Sequence, residues 1–413
     1  MTNKNQHIPS GYKPSPLGII PEDWEVKRLG EVCDIDKESL SNKTDPNYEF
    51  DYISLSDVDS DCFETTTSKQ TFRTAPSRAR RIVKQGDVII STVRPNLQAF
   101  TLIKDKVKDL IVSTGFAVLT PKQIISEYLY QYVFSFPVSK QFYQLVVGSN
   151  YPAVNSSDVS HLKIAFPPLS EQKSIIDVLE VWDTAIAKQT ALIEQLTLRK
   201  RGLMQQLLTG KKRLKGFEGE WKKCAIKSFA KEVSIKNTYN KDYIVLSCTK
   251  YDGLVPSLEY FGKQIYSNDL STYKVVPKNH FAYATNHIEE GSIGYQAQYD
   301  NGLISPMYTV FKTDKEKIDN TYFFAVLKSH HLIHLYQAMM EGSINRRGGL
   351  RWDSFSTIKV DLPSLEEQKA ISAFLYNADK EIEIQKQKLA AMQEQKKGLM
   401  QVLLTGKKRI KTK

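Results

Sequence analysis

Residues 167–213 align with residues 363–409 at a constant offset of 196 positions, without a gap, and 22 of the 47 pairs are identical. Chance does not produce such a match. The chain is an internal duplication, so its fold must accommodate one segment twice. The matched openings are Leu169-Ser-Glu171-Gln172-Lys173 and Leu365-Glu-Glu367-Gln368-Lys369. The matched endings run from Gly202-Leu-Met204-Gln and Gly398-Leu-Met400-Gln to Thr-Gly-Lys-Lys-Arg at Arg213 and Arg409. What precedes each copy matches in outline only: Glu22-Asp-Trp24 with Gly219-Glu-Trp221, Tyr52-Ile-Ser-Leu-Ser56 with Tyr243-Ile-Val-Leu-Ser247, and Gly148-Ser149 with Gly342-Ser343. The expected organisation is therefore a globular domain at 14–166, a helix segment at 167–215, a second domain at 216–362 and a second helix segment at 363–409. The near-constant segments share a job, and the divergent domains perform versions of one job.

The repeated segments carry an apolar seam. Ile175, Leu179, Trp182, Ile186, Gln189, Ile193, Leu196, Lys200, Leu203 and Leu207 alternate in steps of four and three, as do Ile371, Leu375, Ala378, Ile382, Gln385, Leu389, Met392, Lys396, Leu399 and Leu403. That spacing predicts a coiled coil of two helices, each about 36 residues and about 54 Å long. Antiparallel pairing is expected, because a parallel pair would set Lys211-Lys-Arg213 beside Lys407-Lys-Arg409. An antiparallel pair in full register would also oppose the seam midpoints Gln189 and Gln385, unless those amides are simply solvated. Gly210 and Gly406 read as helix stops. Glu171 and Glu367 read as acids favoured near the positive helix end. Gly202 and Gly398 interrupt the helical pattern and predict a close crossing or a bend.

Each globular domain mixes short strand candidates (52–55, 87–92 and 116–119 in the first) with a helical stretch (126–146 and 322–340), so the fold class is α+β. Pro137 must break or kink the first stretch. Residues 161–166 and 358–362 read as strands leading into the long helices. The formal net charge is +11, which favours a polyanionic partner. Basic and amide side chains gather in two loops of each domain. The first domain offers Arg73, Arg78, Arg80, Arg81, Arg94, Asn96, Asn150 and Tyr151; the second offers Asn286, His287, Asn345, Arg346, Arg347 and Arg351. Arg and Asn have the donor geometry for paired bonds to base edges, whereas other basic residues hold phosphates. Singly, each is also what a solvated surface carries.

No chemistry of an autonomous enzyme stands out. There is no GxGxxG, no GxxxxGK[ST] and no HExxH. His330, His331 and His334 lie close together, but no acidic or Cys ligand joins them at motif spacing, so no metal is expected. The four cysteines form no CxxC pair and read as reduced thiols of a cytoplasmic protein. No stretch approaches the length of a transmembrane span, and no membrane partner is expected.

The repeated Pro-Leu-Ser-Glu-Gln-Lys (168–173) and Pro-Ser-Leu-Glu-Glu-Gln-Lys (363–369), the Gly-Leu-Met-Gln…Leu-Leu-Thr-Gly endings, and the openings around Trp24 and Trp221 together resemble the specificity (S) subunits of type I restriction-modification systems, across almost the whole chain. The resemblance implies two target recognition domains, related by a pseudo-two-fold repeat, that read the halves of a bipartite double-stranded DNA site. It implies a helical spacer that docks two methylation subunits and brings restriction subunits to the site. S-adenosylmethionine, ATP and magnesium would act in those partners, with no cofactor and no active site in this chain. By the same resemblance, Leu169, Gln172, Met204, Leu208, Leu365, Gln368, Met400 and Leu404 would help dock partners. A coiled-coil adaptor with basic domains, and a nuclease in its own right, remain open from the residues alone.

Overall fold

The computed structural model describes residues 8–58, 67–146, 152–341 and 349–410. Its contacts divide the chain into two compact units, Met1–Thr190 with Gln387–Lys413, and Ala191–Lys386. The α+β architecture read from the sequence is present in both.

In the first unit, one four-stranded sheet runs in the order Ser68–Thr71, Glu49–Ile53, Leu110–Ser113, Ala79–Ile82. Its Glu49–Ile53 and Leu110–Ser113 strands are parallel; the other pairs are antiparallel. A second sheet, Cys33–Ile35, Phe116–Pro121, Val88–Ser91, Phe100–Leu102, is antiparallel throughout. Val88-Ile-Ile-Ser91 is buried at every position, the pattern of a strand covered on both faces. Helices Ser126–Val133 and Phe136–Val146 cover this sheet with Tyr128, Leu129, Tyr132 and Val138. The break between them falls at 134–135, so Pro137 sits in the first turn of the second helix, where its missing N–H is harmless.

One sequence expectation is corrected here. His161 does not open a strand; it ends a helix, Ser156–His161. Asn155 caps that helix by accepting from the Asp158 amide at 2.8 Å, and Asp158 accepts in return from the Asn155 amide at 2.9 Å. The strand begins at Lys163 and pairs with Glu25–Arg28.

The second unit repeats the plan. Its sheets are ordered Gly253–Pro256, Ile244–Thr249, Asn301–Ile304, Lys274–Pro277 and Ala230–Val233, Tyr308–Thr313, His280–Ala284, Ile293–Gln296. The parallel pair recurs at the same place in the order. Helices Asn320–Leu327 and His330–Glu341 follow, the first capped by Asp319. Strand Lys359–Leu362 pairs with Lys222–Ala225.

The long helices span Leu169–Leu208 and Leu365–Leu403, a few residues more than the seam predicts. Every seam position is buried or half-buried, while the residues immediately beside most of them are exposed. In the first unit, Ile175, Ile176 and Leu179 share a core with Met400, Leu403 and Leu404. In the second, Leu207 and Leu208 share one with Ile371 and Leu375. The start of one helix thus packs on the end of the other within each unit, which is the antiparallel arrangement. Gly210 and Gly406 adopt φ of 68° and 70° and end the helices. No close crossing is seen at Gly202 or Gly398 among the described residues: a Cβ on either would meet nothing beyond its own helix backbone within 4 Å.

Candidate nucleic-acid interface

The residues shared by the two repeats build a latch inside each unit. In the first, Arg409 donates from Nε and Nη2 to the Glu171 carboxylate at 3.0 and 2.6 Å, and from Nη1 and Nη2 to Asp23 at 2.8 and 2.7 Å. Trp24 Nε1 donates to Glu171 at 2.8 Å. The Arg409 guanidinium holds the Asp23 carboxyl below the usual carboxylate range. In the second unit, Arg213 makes the paired bonds to Glu367 at 2.5 and 2.6 Å. Lysines in the seams follow the same rule: Lys396 meets Asp183 at 2.5 Å, and Lys200 meets Asp379. Sequence reasoning missed these pairs. The signal was opposite charges recurring at the start and the end of both copies, which antiparallel pairing must bring together.

Several residues expected to dock partners are buried within the units. Gln172 is fully buried; it accepts from the Ile125 amide at 3.0 Å and donates to the Pro167 carbonyl at 2.9 Å. Gln368 does the same with Asp319 and Pro363 at 2.9 and 3.1 Å. Leu208, Leu404 and Met400 are buried in the unit cores. Of the eight, Leu169 is exposed, and Leu365 and Met204 are half-buried. Apolar side chains outside the seam also face outward on the long helices: Val181, Leu198, Tyr376 and Ile384.

The candidate DNA-facing residues of the first unit fall into two sets. The first set is Arg81, Arg80 and Arg73. Arg81 is paired with Asp36 at 2.8 Å and half-buried. Asp36 also takes the Ser156 hydroxyl and the Val118 amide. Arg80 lies over the Phe72 ring at 4.7 Å, and Arg73 donates to Asn47 at 3.3 Å. The second set gathers at one edge. Strand Val88–Ser91 runs out to Thr92, whose amide and hydroxyl both donate to the Gly115 carbonyl at 2.8 Å. The segment returning from the second loop joins here. The Val154 amide donates to the Thr92 carbonyl at 2.9 Å, Val93 bridges Ala153, and the Arg94 backbone amide donates to the Pro152 carbonyl at 2.8 Å. Arg94 and Asn96 are exposed around a buried Pro95. Arg78, also exposed, has its carbonyl bound by the Thr114 amide beside this edge. Asn150 and Tyr151 lie outside the described residues.

In the second unit the equivalent strand, His280–Ala284, runs out to Thr285, whose carbonyl accepts from the Leu350 amide at 2.8 Å. Asn286 and His287 follow and are exposed. Asn286 and Arg351 line one cleft of about 370 Å³, with Met307 and Trp352. The turn after His287 is fixed by Lys328, which donates to the Lys250 and Gly291 carbonyls at 2.7 and 2.6 Å. Burial pushes that amine below the ordinary lysine range. Asn345, Arg346 and Arg347 lie outside the described residues.

Two groupings have metal-ligand chemistry among the described residues. His287, Glu289 and Glu290 bring their ligand atoms within 4.8 Å of one another. His330 and His334 bring their Nε2 atoms within 2.9 Å, on an exposed helix face. Cys33, Cys224 and Cys248 are free thiols, and burial pushes Cys33 and Cys248 up to about 12. No helix of the described residues is long and apolar enough to cross a membrane.

Comparison with known proteins gives concordant matches. The family model described as "Type I restriction modification DNA specificity domain" matches twice, at residues 21–198 and 219–394. The putative type I restriction enzyme MjaX specificity subunit of Methanocaldococcus jannaschii is 27% identical, covering 97% of each chain. The MjaVIII specificity subunit of the same organism is 27% identical over 95% of this chain and 94% of its own. A solved chain, described as the structural basis underlying complex assembly and conformational transition of the type I R-M system, matches with a TM-score of 0.64. It is 21% identical, covering 94% of this chain and 99% of that one. The HsdS subunit from Thermoanaerobacter tengcongensis matches with a TM-score of 0.52 at 21% identity, covering 94% and 98%. The structural likenesses show a shared fold.

Proposed function

The chain belongs to the type I restriction-modification DNA specificity family, and on that premise we propose that it reads a bipartite, asymmetric double-stranded DNA site and positions catalytic partners on it. It is a specificity subunit rather than a catalyst. The recognition domains would be 14–166 and 216–362, and the spacer helices 167–215 and 363–409.

The observation that carries this reading is the contrast between the repeats. The two units share sheet order, helix latches and seam contacts. They differ at the strand-end loops, with Arg94-Pro95-Asn96 in one and Asn286-His287 in the other. A protein that bound one palindromic sequence would have no reason to diverge there. Reading two different half-sites demands it, because base edges differ in donor and acceptor pattern. The net charge of +11 supplies the sequence-independent attraction to phosphates.

Two methylation subunits, using S-adenosylmethionine, would dock on the helices, and restriction subunits, using ATP and magnesium, would join them in the cytoplasm. The outward apolar residues Leu169, Val181, Leu198, Tyr376 and Ile384 fit such a surface better than the buried Gln172 and Gln368 do.

The test is co-expression with the methylation subunit of the same system, followed by genome-wide mapping of N6-methyladenine. A bipartite motif that disappears when this chain is removed is expected. Methylation without any motif, or a motif independent of this chain, would overturn the proposal.

A further inference from the structure

We propose that Arg94 and Asn286 are the base-discriminating side chains of the two recognition domains, Arg94 reading a guanine in one half-site and Asn286 an adenine in the other. This rests on the bipartite reading above and assigns its chemistry.

The two residues stand at neighbouring places beyond one shared platform, Asn286 one residue and Arg94 two residues past the strand-end threonine. In each unit the third strand of the antiparallel sheet runs out to a threonine, Thr92 or Thr285. In each, the carbonyl of that threonine accepts from the residue closing the second loop, Val154 or Leu350. The platform is therefore the same, and the side chains placed beyond it differ in kind. A loop whose supporting platform is kept while the hydrogen-bonding chemistry beyond it changes is where a duplicated reader would acquire two sequences. Guanidinium forks match the O6 and N7 acceptors of guanine, and a carboxamide matches N6 and N7 of adenine.

Both side chains stand on fixed backbone. Arg94 holds φ 49°, a left-handed conformation costly for a non-glycine residue, and Gln98 at the other end of the turn holds φ 53°. The turn between them is pinned by buried Pro95 and by the bond from Gln98 Nε2 to the Ser139 hydroxyl at 3.0 Å. Such strain is retained where it sets the direction of a functional side chain. In the second unit, Gly349 has φ 63°, and a Cβ there would come within 2.5 Å of both Asn286 Oδ1 and the Thr285 carbonyl. Glycine thus lets the second loop close directly on the Asn286 amide. Fixed presentation is what lets a paired hydrogen bond discriminate between bases rather than merely attract them.

The experiment is methyladenine mapping of the complete complex carrying Arg94→Ala, Arg94→Lys or Asn286→Ala, with melting curves to confirm that each chain is folded. Arg94→Ala and Arg94→Lys should each lose about tenfold or more of the preference for guanine at one position of one half-site, leaving the other half intact. The lysine variant keeps the charge and loses only the fork. Asn286→Ala should relax one adenine position in the opposite half. Folded variants that retain the wild-type motif, or that weaken methylation uniformly at every position, would overturn the inference, since uniform weakening marks a phosphate contact. The same holds if the wild-type half-sites lack these bases. A wild-type complex with no bipartite motif would instead overturn the broader reading.

Discussion

Glu171 shows how one side chain can be read correctly by position and incompletely by role. From the sequence it is an acid in the first turn of a helix, favoured there by the helix dipole. In the structure it is 2% exposed and receives Trp24 and Arg409. Its partner is 238 residues away, and no local pattern encodes a contact of that separation. The duplication did encode it indirectly, because Glu367 and Arg213 repeat the pair. Replacing Glu171 with Gln keeps the shape but leaves the Arg409 guanidinium with Asp23 as its remaining carboxylate partner. Arg409 is 39% exposed, so water and Asp23 offset part of the loss. The expected destabilisation is about 1–3 kcal/mol. Glu367→Gln should cost at least as much, because Arg213 is less exposed, at 26%, and its other bond goes to the Gly219 carbonyl rather than to a second carboxylate. Equal melting temperatures for Glu171→Gln and the wild type would contradict the latch.

At the scale of elements, legibility followed periodicity. The 4-3 alternation located both long helices, because every seam residue must turn toward a partner to leave water. Pro137 gave the discontinuity between the two helices at 126–146. The helix Ser156–His161 was illegible by the same standard: six mostly polar residues bury only Val159. Its signal was the cap, Asn155 with Asp158 three positions on. Gly202 and Gly398 misled for a different reason. A glycine inside a helix suggests a steric need, yet open space surrounds both. With no atom to collide with, Gly202→Ala should stabilise the chain by roughly 0.5–1 kcal/mol through the lower entropy of the unfolded state. Gly398→Ala should do likewise. Chemical denaturation measures this directly, and a loss of stability in the isolated chain would show that the helix is strained at these points.

At the scale of the whole molecule, the gap-free offset between the repeats made the architecture legible, while the divergence of the domains hid their detailed function. Where sequence pairs were kept, as at Trp24 and Trp221 or Gln172 and Gln368, they serve the common scaffold. Where they were not, the chain places its proposed readers. The scaffold then has its own consequence. Each long helix is uninterrupted and contributes to both compact units. Inserting four residues at equivalent places in both helices adds about 6 Å of rise and about 40° of rotation. It also leaves the start and end of each helix, and therefore each latch, unchanged. If the helices set the separation at which half-sites are read, the methylated motif of this variant should keep both halves and change its gap by one or two base pairs, taking about 3.4 Å per pair. Methyladenine mapping distinguishes the outcomes. An unchanged gap would remove the spacer role, and altered half-sites would mean that the recognition loops depend on the helices for their shape.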